Sequence, residues 1–127
     1  MAEIISTTNA PGAIGPYSQG FVLPAGARLI FTSGQIPIVP ATGSIIEGGI
    51  AEQAEQSCKN VIEILKAAGT DASSVVKTTC FLANMDDFAE FNQVYAKYFT
   101  SKPARSCVAV KTLPKNVLCE VEAIAAI

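Results

Sequence analysis

The chain has 127 residues, half of them apolar and 16% charged, with a net charge of −2 and neither histidine nor tryptophan. That length suits one domain around a single core, and the lack of histidine removes Ser-His, Cys-His and His-ligated metal chemistry together. The acidic balance has no run of Lys or Arg, so it carries no strong nucleic-acid or membrane signal.

Met1-Ala2-Glu3-Ile4 shows no basic segment and no long apolar one, so no secretory signal is read there and the cytoplasm is the expected compartment. Residues 3–6 are a short strand candidate. Residues 9–16 are loop, punctuated by Pro11, Gly12, Gly15 and Pro16. A strand begins near Tyr17 and runs through Phe21-Val22-Leu23. Another spans 28–36, rich in β-branched and aromatic residues, and 37–49 reads as loop.

The spacing of Ile50, Ala54, Cys58, Val61, Ile62 and Leu65 predicts a helix over 50–68, with Gly69 at its C′ position. Residues 75–83 form the next strand. A second helix starts between Asn84 and Asp87 and presents Phe88, Phe91, Tyr95, Tyr98 and Phe99. Pro103 ends it, and strands at 104–111 and 117–126 close the chain. The order β-β-β-α-β-α-β-β demands crossovers and a partly parallel sheet. Helices cover one sheet face; the other is apolar enough to need a second copy of the sheet against it.

The last quarter sets Arg105, Glu120 and Glu122 inside apolar, strand-like sequence, where an unpaired charge costs several kcal/mol. Parity places Arg105 with Cys107 on one face of their strand, and Glu120 with Glu122 on one face of theirs. Whether these faces share a cleft depends on strand order. Arg105 suits a planar carboxylate, because guanidinium is a rigid two-pronged donor, and Glu120 suits holding or deprotonating a water. Residue types alone favour a structural Arg–Glu ion pair over these roles. Glu122 has no assigned role.

Gly15-Pro16-Tyr17 is a turn that can leave its phenol at a surface, and Ser33-Gly34 within a strand marks a bulge or a close approach. Asn92 suits the end of a site or a backbone bond better than catalysis. Cys58, Cys80, Cys107 and Cys119 contain no CxxC pair and read as reduced, buried thiols. Cys107 lacks any histidine to activate it as a nucleophile.

Taken together, Asn9-Ala10-Pro11, Ala13-Ile14-Gly15-Pro16-Tyr17-Ser18-Gln19, Phe31-Thr32-Ser33-Gly34-Gln35-Ile36-Pro37, Asp87-Phe88, Asn92, Pro103-Ala104-Arg105-Ser106-Cys107 and Glu120-Val121-Glu122-Ala123-Ile124-Ala125 resemble the reactive-intermediate deaminase A family, also called RidA or YjgF. The resemblance covers nearly the whole chain, 1–127, as a single domain. It implies a chorismate-mutase-like α+β fold: a six-stranded mixed sheet with two helices on one face and the last strand central, assembled as a homotrimer around an inner barrel. It further implies cofactor-independent hydrolysis of 2-imino acids, such as 2-iminobutanoate and 2-iminopropanoate, to 2-keto acids and ammonia. Those imines are released by pyridoxal-phosphate dehydratases.

Carried onto this sequence, Arg105 and Glu120 become catalytic, one clamping the substrate carboxylate and the other activating water. Tyr17, Ser33, Gly34, Asn92 and Cys107 become substrate-binding, Cys107 mainly through its backbone. The family also holds proteins described as ribonucleases or translation inhibitors, and non-catalytic or chaperone-like binders. The net charge of −2 weighs against a strong polyanion site.

Overall fold

Strict alternation along the last strand, β8 (Cys119–Ala126), decides which way the sheet faces. Cys119, Val121, Ala123 and Ala125 are buried, while Glu120, Glu122, Ile124 and Ala126 point the other way. The structure, a computed structural model, describes residues 2–127; Met1 lies outside the described residues. The remaining strands are β1 (Glu3–Ile5), β2 (Gly20–Val22), β3 (Leu29–Phe31), β4 (Ile38–Val39), β5 (Ser44–Ile45), β6 (Val75–Leu82) and β7 (Ala104–Ala109). The helices are α1 (Ile50–Ala67) and α2 (Phe88–Tyr98).

The central sheet has four strands in the order β3-β8-β6-β7. β8 runs antiparallel to both β3 and β6, and β7 pairs parallel with β6 across the α2 crossover. β7 and β8 are therefore not a hairpin. The expected six-stranded sheet is corrected here. β1 and β2 form a separate two-stranded ladder, and just before β2 a parallel bridge links Ser18 to Ala104 at the β7 edge. The segment before β2 carries Pro11 and Pro16, which have no N–H to donate to a longer ladder.

The expected strand over 28–36 is also interrupted. Ala123 N–H donates to the Thr32 hydroxyl (3.0 Å) rather than to a backbone carbonyl, and pairing resumes only at Gln35 opposite Val121. Within the expected 37–49 loop, β4 and β5 form a two-residue hairpin, Ile38 opposite Ile45 and Val39 opposite Ser44. Gly43 N–H closes its turn on the Val39 carbonyl.

α1 matches its sequence pattern closely, and its end is a complete Schellman cap. Gly69 (φ 88°) donates to the Lys66 carbonyl, and Thr70 donates to the Leu65 carbonyl. At its start the Glu52 carboxylate accepts from Gly49 N–H at 2.8 Å. Its buried face also holds polar residues that apolar spacing does not reveal. Gln53 accepts from Leu118 N–H at 2.8 Å, and Asn60 donates to the Ile36 and Ile38 carbonyls. These bonds tie α1 to the β8 entry and to the chain leaving β3.

Both helices cover the same sheet face. The core joins Ala54, Cys58, Val61 and Leu65 of α1, Phe91 and Tyr95 of α2 with the following Phe99, and the inward residues of β6 and β8. Phe91, Tyr95 and Phe99 stack in series, with ring centres 5.9 and 4.8 Å apart. Beneath them the Thr78 and Tyr95 hydroxyls meet at 2.6 Å, both fully buried. Thr78→Val strands the Tyr95 hydroxyl, so we expect a loss of about 1–3 kcal/mol and a melting temperature lower by several degrees in calorimetry.

The opposite sheet face has no covering helix. It exposes Leu29, Phe31 and Val108 and a small hollow of about 110 Å³ lined by Phe31, Lys77, Thr79 and Glu122. Glu122 therefore sits on this open face, opposite Thr79 on β6.

Candidate active site

Arg105 is the second residue of β7, in register with buried Thr78, so its side chain rises on the helix-covered face at the sheet edge. α2 receives it with a stripe at helical spacing, Phe88, Asn92 and Tyr95. The guanidinium carbon lies 4.7 Å from the Tyr95 ring centre, 5.5 Å from Phe88 and 5.9 Å from Tyr17. Arg105 Nη1 donates to Asn92 Oδ1 at 2.7 Å. Among the described residues no carboxylate pairs with it. The cation is held by an amide and three rings, and its charge is left unneutralised.

Tyr17 reaches this group through its tight turn, in which Tyr17 N–H donates to the Gly15 carbonyl at 2.8 Å and the Tyr17 phenol accepts from Ile14 N–H at 3.4 Å. Gly15 has a specific reason to lack a side chain. A Cβ there would lie 3.3 Å from the Tyr17 ring, tight enough to make the ring give way, and in ordinary contact with Arg105 Nη2 at 3.9 Å.

Cys107 shares Arg105's face and stands opposite Cys80 on β6. It is half-buried, which corrects the expectation that all four thiols are buried; the other three are, and all four are free. The adjoining Cys80 thiol and nearby Arg105 hold Cys107 below the usual thiol range against the opposing effect of burial. Burial pushes Cys119 up to about 12.

Glu120 belongs to the other face. It stands opposite Phe81 on β6 and between the inward-facing Cys119 and Val121. Its carboxylate lies directly against Gly34: a Cβ on Gly34 would overlap Glu120 Oε2 and stand 2.9 Å from its carboxyl carbon. Partial burial, reinforced by the neighbouring Glu122 charge, raises the Glu120 pKa. Exposed Ser33 adjoins this group, with its carbonyl accepting from the Gln35 amide at 3.2 Å. Gly34→Ala is expected to push the flexible Glu120 carboxylate aside, so stability in urea unfolding should change by no more than about 0.5 kcal/mol.

The residues singled out in the sequence thus fall into two groups. Tyr17, Asn92, Arg105 and Cys107 gather on the helix-covered face; Ser33, Gly34 and Glu120 gather on the open one. The structural Arg105–Glu120 ion pair does not form, because the sheet lies between the two side chains. Phe88 and Tyr95 were legible as core and not as neighbours of Arg105. Their spacing from Asn92 was the available signal. Among the described residues no three His, Cys, Asp or Glu side chains converge as metal ligands would.

A mixed sheet backed by two helices, with an unneutralised arginine at its edge, defines an α+β domain suited to a small anionic ligand. Residues 7–127 match the family described as endoribonuclease L-PSP, and the chain belongs to this family, the RidA/YjgF proteins. The human 2-iminobutanoate/2-iminopropanoate deaminase is 50% identical over 124 residues, spanning 97% of this chain and 88% of that protein. A RutC family protein of Pyrococcus horikoshii is 52% identical over 126 residues, spanning 98% of both. The crystal structure of E. coli TdcF with bound serine superposes with a TM-score of 0.74 at 46% identity, covering 98% of each chain.

Proposed function

We propose that this chain hydrolyses 2-imino acids such as 2-iminobutanoate and 2-iminopropanoate to 2-keto acids and ammonia, without a cofactor, in clefts between the subunits of a homotrimer. The observation that carries this reading is the separation of an unneutralised Arg105 from Glu120 by the thickness of the sheet. One chain carries both residues on opposite sheet faces, which supports a site completed by a neighbouring copy. The apolar open face, with exposed Leu29, Phe31 and Val108, is the surface that such an assembly would bury.

In this cleft Arg105 takes the substrate carboxylate through its free donors and fixes the imine carbon. Tyr17, Asn92, Cys107, Ser33 and Gly34 line the pocket. A protonated imine is already electrophilic. Glu120 from the neighbouring copy accepts a proton as water adds to that carbon, and the resulting carbinolamine expels ammonia once its nitrogen is protonated. The serine named in the TdcF structure has the α-carboxylate and size of such a substrate, which supports the assignment. Free thiols throughout suit the reducing cytosol.

The test is a coupled assay in which threonine dehydratase releases 2-iminobutanoate and keto-acid formation is followed with and without this protein. Acceleration that scales with protein concentration is expected. Keto-acid release at the buffer rate contradicts the reading. RNA cleavage that copurifies with the protein and is lost in Glu120→Gln would favour the endoribonuclease description instead.

A further inference from the structure

Tyr17 and Arg105 come from distant parts of the chain, and something must hold their two backbones together. The residues immediately after Tyr17 do so, in opposite directions. Ser18 is buried, and its hydroxyl donates to the Lys102 carbonyl at 2.7 Å, while its backbone makes the single bridge to Ala104. Lys102 is a non-glycine residue at φ 53°, followed directly by Pro103, a strained backbone that needs support from outside. Three residues beyond it stands Arg105.

Gln19 works on the other side. Its Oε1 accepts from Thr7 N–H at 2.6 Å, and its Nε2 donates to the carbonyls of Thr7 (3.0 Å), Ala10 (3.3 Å) and Pro11 (2.7 Å). One side-chain amide thus satisfies four backbone groups of a loop that no ladder reaches. That loop runs on through Ile14, whose N–H meets the Tyr17 phenol, and it walls a cavity of about 580 Å³ that includes Tyr17, Ser18 and Gln19.

We propose that Ser18 and Gln19 are positioning residues that set the Tyr17–Arg105 geometry, Ser18 by clamping the strained turn into the Arg105 strand and Gln19 by bracing the loop that carries Tyr17. Neither side chain touches the guanidinium. Both act through backbone groups that lead to it. The catalytic consequence rests on the reading of Arg105 as the carboxylate clamp; the geometric claim does not.

The experiment therefore reads Arg105 directly. The chain has two arginines, Arg28 and Arg105, so Arg28→Lys leaves one Nε–Hε signal in a ¹⁵N–¹H spectrum. With the Tyr17, Phe88 and Tyr95 ring centres 4.7–5.9 Å from the guanidinium carbon, ring currents should make that signal sensitive to its position. In this background, Ser18→Ala and Gln19→Ala are each expected to move it beyond its linewidth while far-ultraviolet circular dichroism is retained. They should also raise KM for 2-iminobutanoate about tenfold, with a smaller change in kcat. Ser18→Thr, which keeps the hydroxyl, should return the signal toward its original position.

A folded Ser18→Ala or Gln19→Ala protein with an unmoved Arg105 signal overturns the proposal, whatever its activity. Should Ser18→Ala fail to fold, Gln19→Ala alone decides, since its side chain braces a surface loop outside the core. A moved signal in a protein whose parent hydrolyses no imine supports the clamp and counts against the deaminase reading alone.

Discussion

Arg105→Ala is expected to lower kcat/KM for 2-iminobutanoate by about 10²- to 10⁴-fold, because it removes two charge-assisted hydrogen bonds worth roughly 1.5–3 kcal/mol each. The fold should survive. Arg105 contributes one bond to Asn92 and ring contacts at the sheet edge, so a stability loss of about 1 kcal/mol is expected. Arg105→Lys keeps the charge and loses the planar fork, and should retain only a small part of the activity. Steady-state kinetics on the three proteins, with melting curves beside them, separates clamp from scaffold. Near-normal turnover in Arg105→Ala would contradict the clamp.

The second large effect belongs to Glu120. Glu120→Gln preserves shape and packing against Gly34 but cannot accept a proton, and a loss in kcat of about 10²–10⁴-fold is expected with KM little changed. The pH dependence adds a separate check. A general base works only when ionised, so activity falls as pH drops through its pKa. Burial and Glu122 raise that pKa in the single chain, so the acid limb of kcat/KM should lie above the pH of an ordinary glutamate. Glu120→Gln should flatten the limb.

Much of the fold can be read from spacing and punctuation. α1 and α2 follow from apolar residues every three or four positions and from the Gly69 cap, while the Asn84 side chain, accepting from Asp86 N–H at 2.9 Å, caps the 3-10 turn Met85–Asp87 that leads into α2. The interruptions were harder. Gln53 and Asn60 are polar in type and buried because each satisfies backbone groups of another element, a tertiary fact with no local signature. The β4–β5 hairpin is two residues long on each side and hides among turn residues. β3 stops where the Thr32 hydroxyl replaces a ladder carbonyl, which composition does not betray.

The site shows the same division. Parity paired Arg105 with Cys107 and Glu120 with Glu122, and those pairings hold in the register. Parity could not say whether the two pairs share a face. That depends on β8 lying between β3 and β6, with β7 at the edge beyond β6, an order created by long-range pairing. Once it is known, Arg105 and Glu120 fall on opposite faces and the candidate ion pair is excluded within one chain.

Subunit complementation tests this separation most directly. Arg105→Ala and Glu120→Gln chains, each nearly inactive alone, are coexpressed and the mixed assemblies purified. If each cleft draws Arg105 from one copy and Glu120 from its neighbour, random trimers contain about a quarter of intact clefts and should recover about a quarter of wild-type activity. If the mixed assemblies show only the residual activity of the two single variants, each site is complete within one chain and the account is wrong.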